Sequence, residues 1–206
     1  MKLRTEIKQQ AKKNFLDQYG VSVGAFLLYG IVGWVLSQFL FGLGSIFVGG
    51  PLTVGMAAFD LDVYRGKEGD IGKMFGEGFK GDTYGRNVGS MLVMGVFIFL
   101  WSLLLIIPGI IKALAYSMTP YILAENKTIG ALDAITLSRR MTKGHKGKVF
   151  VMILSFIGWG LLSILTFGLL NLLFTGPYLS KSMAGLYDEL NVALLDADAA
   201  KAKQPI

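Results

Sequence analysis

Hydrophobic positions fill three long blocks of this chain, and charged positions are confined between them. Residues 18–59 carry no Asp, Glu, Lys or Arg, residues 87–124 carry only Lys112, and residues 149–187 carry only Lys181. The blocks are 42, 38 and 39 residues long. A membrane-crossing helix needs ~20 apolar residues at about 1.5 Å rise each. Each block therefore holds two spans and a tight turn. The predicted spans cover 21–41 and 44–64, 86–106 and 109–125, and 148–167 and 170–188. A soluble helix needs a polar face, which stretches this long and uncharged do not supply.

The segments between the blocks have a different period. Leu3, Ile7, Ala11, Phe15 and Tyr19 recur at i+4 with Lys2, Lys8, Lys12 and Lys13 around them. This predicts an amphipathic helix over 2–19, lying in the membrane interface or, alternatively, solvated before the first span. Amphipathic helices are also predicted over 70–80 and 128–142, and a polar tail that frays over 191–206. The predicted fold class is an all-α integral membrane protein: one membrane domain over 1–190, with six transmembrane helices as three hairpins plus interfacial helices. A threefold internal repeat is a candidate. Proline opens "PLTVGMAAFDLDVY", "PGIIKALAYSMTPY" and "PYLSKSMAGLYDEL", and Ala58, Ala115 and Ala184 each stand seven residues later.

Charge adds an orientation. Lys and Arg number five in 1–17, five in 60–86, six in 125–148 and two in 188–206, so 18 of 20 fall on one side of the predicted hairpins. The positive-inside rule places both termini and both long loops in the cytoplasm. Composition agrees with a membrane protein: 53% of residues are hydrophobic and 17% charged, against ~25% charged in soluble domains. The first apolar stretch is too long for the core of a cleaved signal peptide. There is no Cys, hence no disulfide and no thiolate nucleophile.

The stretch "FLWSLLLIIPGIIKALAYSMTPYILAEN", continued by "IGALDAITLSRRMTKGHKGKVF", resembles the signature of the bacterial integral membrane proteins called domain of unknown function 975. The resemblance extends to "LSFIGWGLLSILTFGLL", "GPYLSKSMAGLYDEL", "GGPLTVGMAAF" and the N-terminal "MKLRTEIKQQAKKNF". It implies a bacterial, mostly Gram-positive, plasma-membrane protein, and it carries no assigned site residues. More distantly, the layout is similar to the membrane domain attached to some glycerophosphodiesterases, without their catalytic barrel.

Lys112 stands four residues after Pro108 and Lys181 four after Pro177, while Gly55 holds that place after Pro51. A charge at the bilayer centre costs ~3 kcal/mol or more and tends to face a partner or water. Three readings stand. In one, Lys112 and Lys181, with Tyr116 and Ser180, surround a polar interior that holds an anion or a lipid phosphate. In another the lysines snorkel, Lys112 outward and Lys181 inward. In the third each is buried in a pair with a partner the sequence does not identify. Asp60 and Asp62 mark the water interface or form a cation site. Arg139, Arg140, Lys143, Lys146 and Lys148 form the densest basic cluster and suit the anionic inner leaflet. No nucleic-acid module accompanies them.

His145 is the only His. No metal-ligand cluster, serine triad or phosphate loop is visible, so no enzyme, metal or cofactor is expected. The leading expectation is a protein that binds or moves a lipid or amphiphilic anion. The alternative is an accessory subunit docking another membrane protein through its amphipathic helices. A homo-oligomer is compatible with either.

Overall fold

A computed structural model of the chain describes residues 2–38 and 43–202, and every element among them is helical. Residues 39–42, which hold part of the turn expected after the first span, and 203–206 lie outside the described residues. The helices are α1 (Arg4–Asp17), α2 (Tyr19–Gln38), α3 (Leu43–Tyr64), α4 (Ile71–Phe79), α5 (Gly81–Leu104), α6 (Ile106–Tyr116), α7 (Thr119–Glu125), α8 (Ala131–Thr142), α9 (Lys146–Leu154), α10 (Ile157–Leu165) and α11 (Gly176–Ala202). A π-helical segment, Asn171–Thr175, leads into α11.

Among the described residues, four stretches are long and apolar enough to cross a membrane: Tyr19–Leu36, Gly81–Leu103, Ile106–Glu125 and Lys146–Leu165. Two are interrupted. The 106–125 stretch breaks between α6 and α7, and the 146–165 stretch breaks between α9 and α10. The expected spans over 44–64 and 170–188 are not among the four. Their inner halves are core helices rather than lipid-facing rods. α3 buries Leu52, Val54, Met56, Leu61 and Tyr64 and carries Asp60 and Asp62, and α11 buries Tyr178, Ala184, Leu186 and Leu190.

α3 and α11 run parallel through the centre. Asp60 meets Lys181, Gly185 abuts the Tyr64 ring, and Arg65 meets Asp188. The amphipathic helices lie antiparallel against them. Lys2 donates to Glu189 while Phe15 packs on Phe174, so α1 runs the length of α11 in reverse. α4 runs back along α3 with its backbone almost touching: a Cβ on Gly55 would sit 2.0 Å from the Met74 carbonyl oxygen, and one on Gly78 2.5 Å from that of Pro51. Only glycine permits this approach. α8 returns against α6, where Ser138 and Thr142 both donate to the Ala115 carbonyl at 2.8 and 3.2 Å.

The apolar stripes of the amphipathic helices predicted over 2–19, 70–80 and 128–142 pack on the rest of the protein. Ile7, Ala11 and Phe15 of α1, Met74 of α4, and Ala134, Ile135 and Met141 of α8 are buried in protein. Their apolar stripes cover other helices instead of lipid, because burying them inside also satisfies helix ends. Asn14 and Gln10 donate to the Tyr64 carbonyl at the end of α3, at 2.6 and 3.2 Å. Arg86 holds the Leu123 and Asn126 carbonyls at the end of α7. The tail expected to fray is helical through Ala202. Its run "VALLDADAAKA" is rich in good helix formers, and Asp198 pairs with Arg140 at 2.9 Å.

Exposed apolar side chains gather on the hairpin arms. On α5 and α6 they include Phe99, Leu103, Ile106 and Ile107, and around the α10 turn Ile164, Leu165 and Phe167. Phe167 is 98% exposed and has a φ of 50°, followed by Gly168 at 83°. A bulky residue thus stands fully exposed in a strained conformation at the turn that follows α10.

Candidate functional site

The centre of the bundle holds a buried ion pair. Asp60 sits on the last third of α3 and Lys181 on the second turn of α11. Lys181 Nζ donates to Asp60 Oδ1 at 2.9 Å, with the side chains 0% and 3% exposed. The parallel register of α3 and α11 brings them together. Ser180 Oγ, next to Lys181, also donates to Oδ1, at 3.1 Å. The Phe59 ring lies under the ammonium, 4.9 Å from its centroid. Removing a carboxylate and an ammonium from water is costly, and the pair is tolerable only because each neutralises the other. The expectation that Asp60 marks a water interface is thereby overturned. Asp62 does lie at an edge, where it pairs with Lys73 and, at 3.4 Å, with Lys67.

Lys112 is placed elsewhere. Its ammonium stacks over the Trp101 ring at 4.2 Å, whereas that of Lys181 meets Asp60. Tyr116 is also apart from the pair: it is buried beside Ala115 and Ile135, with Phe97 at 6.4 Å. Of the four residues proposed to share one polar interior, the structure brings together Lys181 and Ser180.

A cavity of about 250 Å³ adjoins the ion pair. Asp60, Ser180, Tyr121, Tyr29, Thr53 and Ser117 give it polar spots, and Phe26, Met56, Ala57, Pro120 and Met183 give it apolar walls. Sequence reasoning missed Asp60, Tyr29 and Tyr121 as members of this site. Asp60 was legible only as a charge near a span end, and the partner that makes it a site residue lies 121 positions away.

Beyond the pair, at the end of α3, a second polar layer closes the bundle. Arg65 donates through Nε to Asp188 at 3.0 Å and also pairs with Glu125. These carboxylates, Asp188 first, hold the guanidinium well above its ordinary value. Tyr187 donates to Glu125 at 2.7 Å.

A larger groove, about 630 Å³, opens where α1, α9 and α11 meet. Leu3, Ile7, Val151, Met152 and Leu186 wall it, and Lys2, Arg4 and Lys148 stand around it. Lys148 is the member of the sequence-identified cluster that reaches this groove. Arg139 and Lys143 are exposed, Lys146 is half-buried, and Arg140 is engaged with Asp198.

Neither the curated proteins nor the solved structures provide a match to this chain. Residues 87–193, which are 107 of its 206, match the model of a family described as "Protein of unknown function (DUF975)". The match runs from the start of α5 to the body of α11 and takes in Lys112, the basic cluster and Lys181, so the chain belongs to that family.

Proposed function

We propose that this protein is a non-enzymatic, multi-pass component of the bacterial plasma membrane that binds anionic phospholipid through the groove between α1, α9 and α11. The observation that carries the reading is the groove's composition. Five apolar side chains line a volume of about 630 Å³ and three cations stand around it. That matches a lipid with an acyl chain and an anionic headgroup, each basic residue near such a surface being worth ~1 kcal/mol.

In this reading the protein crosses the membrane six times, with both termini cytoplasmic. The pairing of an amphipathic helix with each proline-led helix, α4 on α3, α8 on α6 and α7, and α1 on α11, supports a threefold repeat of hairpins. Docking of another membrane protein draws less support, because the apolar stripes of α4 and α8 are turned into the protein itself.

The test is native mass spectrometry from nanodiscs of mixed phosphatidylglycerol and phosphatidylcholine. Wild type is expected to retain phosphatidylglycerol selectively, and an Arg4→Gln, Lys148→Gln variant to lose that selectivity. Equal retention of both lipids by wild type would refute the proposal.

A further inference from the structure

The cavity beside the ion pair has a chemical polarity that follows from where its hydrogens point. Thr53 Oγ donates to the Gly49 carbonyl at 2.8 Å. Tyr29, 3.3 Å from Thr53 Oγ, is then the donor of that pair. Ser117 donates to Leu114 at 2.9 Å, and Tyr121 to the Ser180 carbonyl at 3.4 Å. Ser180 shares its one hydrogen between Asp60 Oδ1 and the Pro177 carbonyl, at 3.1 and 3.0 Å. A hydroxyl has one hydrogen and two lone pairs. Every hydroxyl on the cavity has thus directed its hydrogen into the protein and offers the cavity only acceptor capacity.

Asp60 adds the strongest acceptor. Lys181 and Ser180 converge on Oδ1, and Oδ2 receives no hydrogen bond among the described residues. Asp60 is 2% exposed and lines the cavity, so that oxygen is an unpartnered carboxylate acceptor on an almost wholly buried side chain at the wall of a half-open cavity. An anion is excluded by this arrangement, since nothing on the walls donates to it. A cation is disfavoured too. Lys181 already neutralises Asp60, and a further charge would be uncompensated between Phe26, Met56 and Met183.

We propose that the cavity binds a small uncharged molecule with an apolar body and a hydroxyl donor, an alcohol or phenol, presented to Asp60 Oδ2. Hydrogen bonds to a carboxylate are short and about twice as strong as neutral ones, which makes the donor the selected feature. Size agrees with one substituted ring. A ~150 Å³ apolar cavity holds benzene, and drug-sized ligands occupy ~300–1,000 Å³. The site is separate from the lipid groove, and neither depends on the other.

Met56 and Met183 both line the cavity, so 13C-methyl methionine NMR of the full chain in nanodiscs reports occupancy directly. Benzyl alcohol, toluene and benzylammonium are the probes, each titrated against its own partition into protein-free discs. Benzyl alcohol is expected to shift both methyls saturably, with at least tenfold higher affinity than toluene or benzylammonium. In an Asp60→Leu, Lys181→Met variant, which removes both charges together, the preference for the alcohol over toluene should vanish while the spectrum stays folded. Toluene binding wild type as well as the alcohol, tighter binding of the ammonium, or no saturable shift at either methionine would each overturn the proposal. A preference for the alcohol that persists in the double variant would overturn the role of Asp60.

Discussion

Lys181 and Lys112 stand at the same offset from a proline, yet one is wholly enclosed and the other lies on an aromatic ring near the protein's surface. α11 passes through the centre, where α3 runs parallel and offers Asp60 in register. α6 belongs to an arm that leans on α5, and what it offers Lys112 is Trp101. The same position after the first proline, Gly55 after Pro51, is different again: there the backbone of α4 occupies the space a side chain would need. One sequence register thus becomes an ion pair, a ring contact and a bare helix contact. The environment of each position is set by the helix packed against it, not by its own spacing.

The comparison can be broken hardest at the centre. Asp60→Ala leaves a fully buried ammonium without its partner and is expected to cost about 3–5 kcal/mol, read as a lowered midpoint in denaturant unfolding from mild detergent. The Asp60→Leu, Lys181→Met pair should stay close to wild type, since replacing a buried ion pair by apolar side chains is often neutral. A double variant as damaged as the single one would show that the pair itself is required. Next comes Gly55→Ala. Its Cβ would lie 2.0 Å from a backbone oxygen that cannot swing away, and separating α3 from α4 is expected to cost about 2–3 kcal/mol. Gly30 on the α2 arm has nothing within 4 Å, so Gly30→Ala should be neutral or stabilise by up to about 1 kcal/mol.

A smaller effect belongs to the helix end. Asn14→Ala removes the 2.6 Å hydrogen bond to the Tyr64 carbonyl and should cost about 1 kcal/mol. Hydrogen exchange at the end of α3 and in the 65–69 loop should rise with it. The smallest loss is expected at Lys112→Ala, at most about 0.5–1 kcal/mol from the lost ring contact. A larger loss at Lys112 than at Asp60 would invert the comparison and return the intramembrane lysines to equal standing.

Parts of this were legible in the residues. The uncharged blocks announced apolar helices because a helix without a polar face has few places to go, and the i+4 stripe of Leu3, Ile7, Ala11 and Phe15 announced α1. What the stripe would cover was not legible. An apolar face looks the same whether it meets lipid or Leu186 and Leu190. The candidate site divided in the same way. Lys181 and Ser180 stood out as polar residues in an apolar block, but Asp60 stood at a block's edge, where carboxylates usually meet water. Nothing in the sequence singled out Tyr29 and Tyr121, because the direction of a hydroxyl hydrogen depends on neighbours far along the chain.

By itself, then, the sequence determined that the chain is helical, that its helices are apolar in three blocks, and where its charge is concentrated, because these depend on local composition and period. The tertiary structure alone decided that α3 and α11 are core helices, that Asp60 and Lys181 neutralise one another, that Lys112 lies over Trp101, and that the adjoining cavity presents acceptors. Each of these is a meeting of residues tens of positions or more apart, and the packing of helices, not the order of residues, creates it.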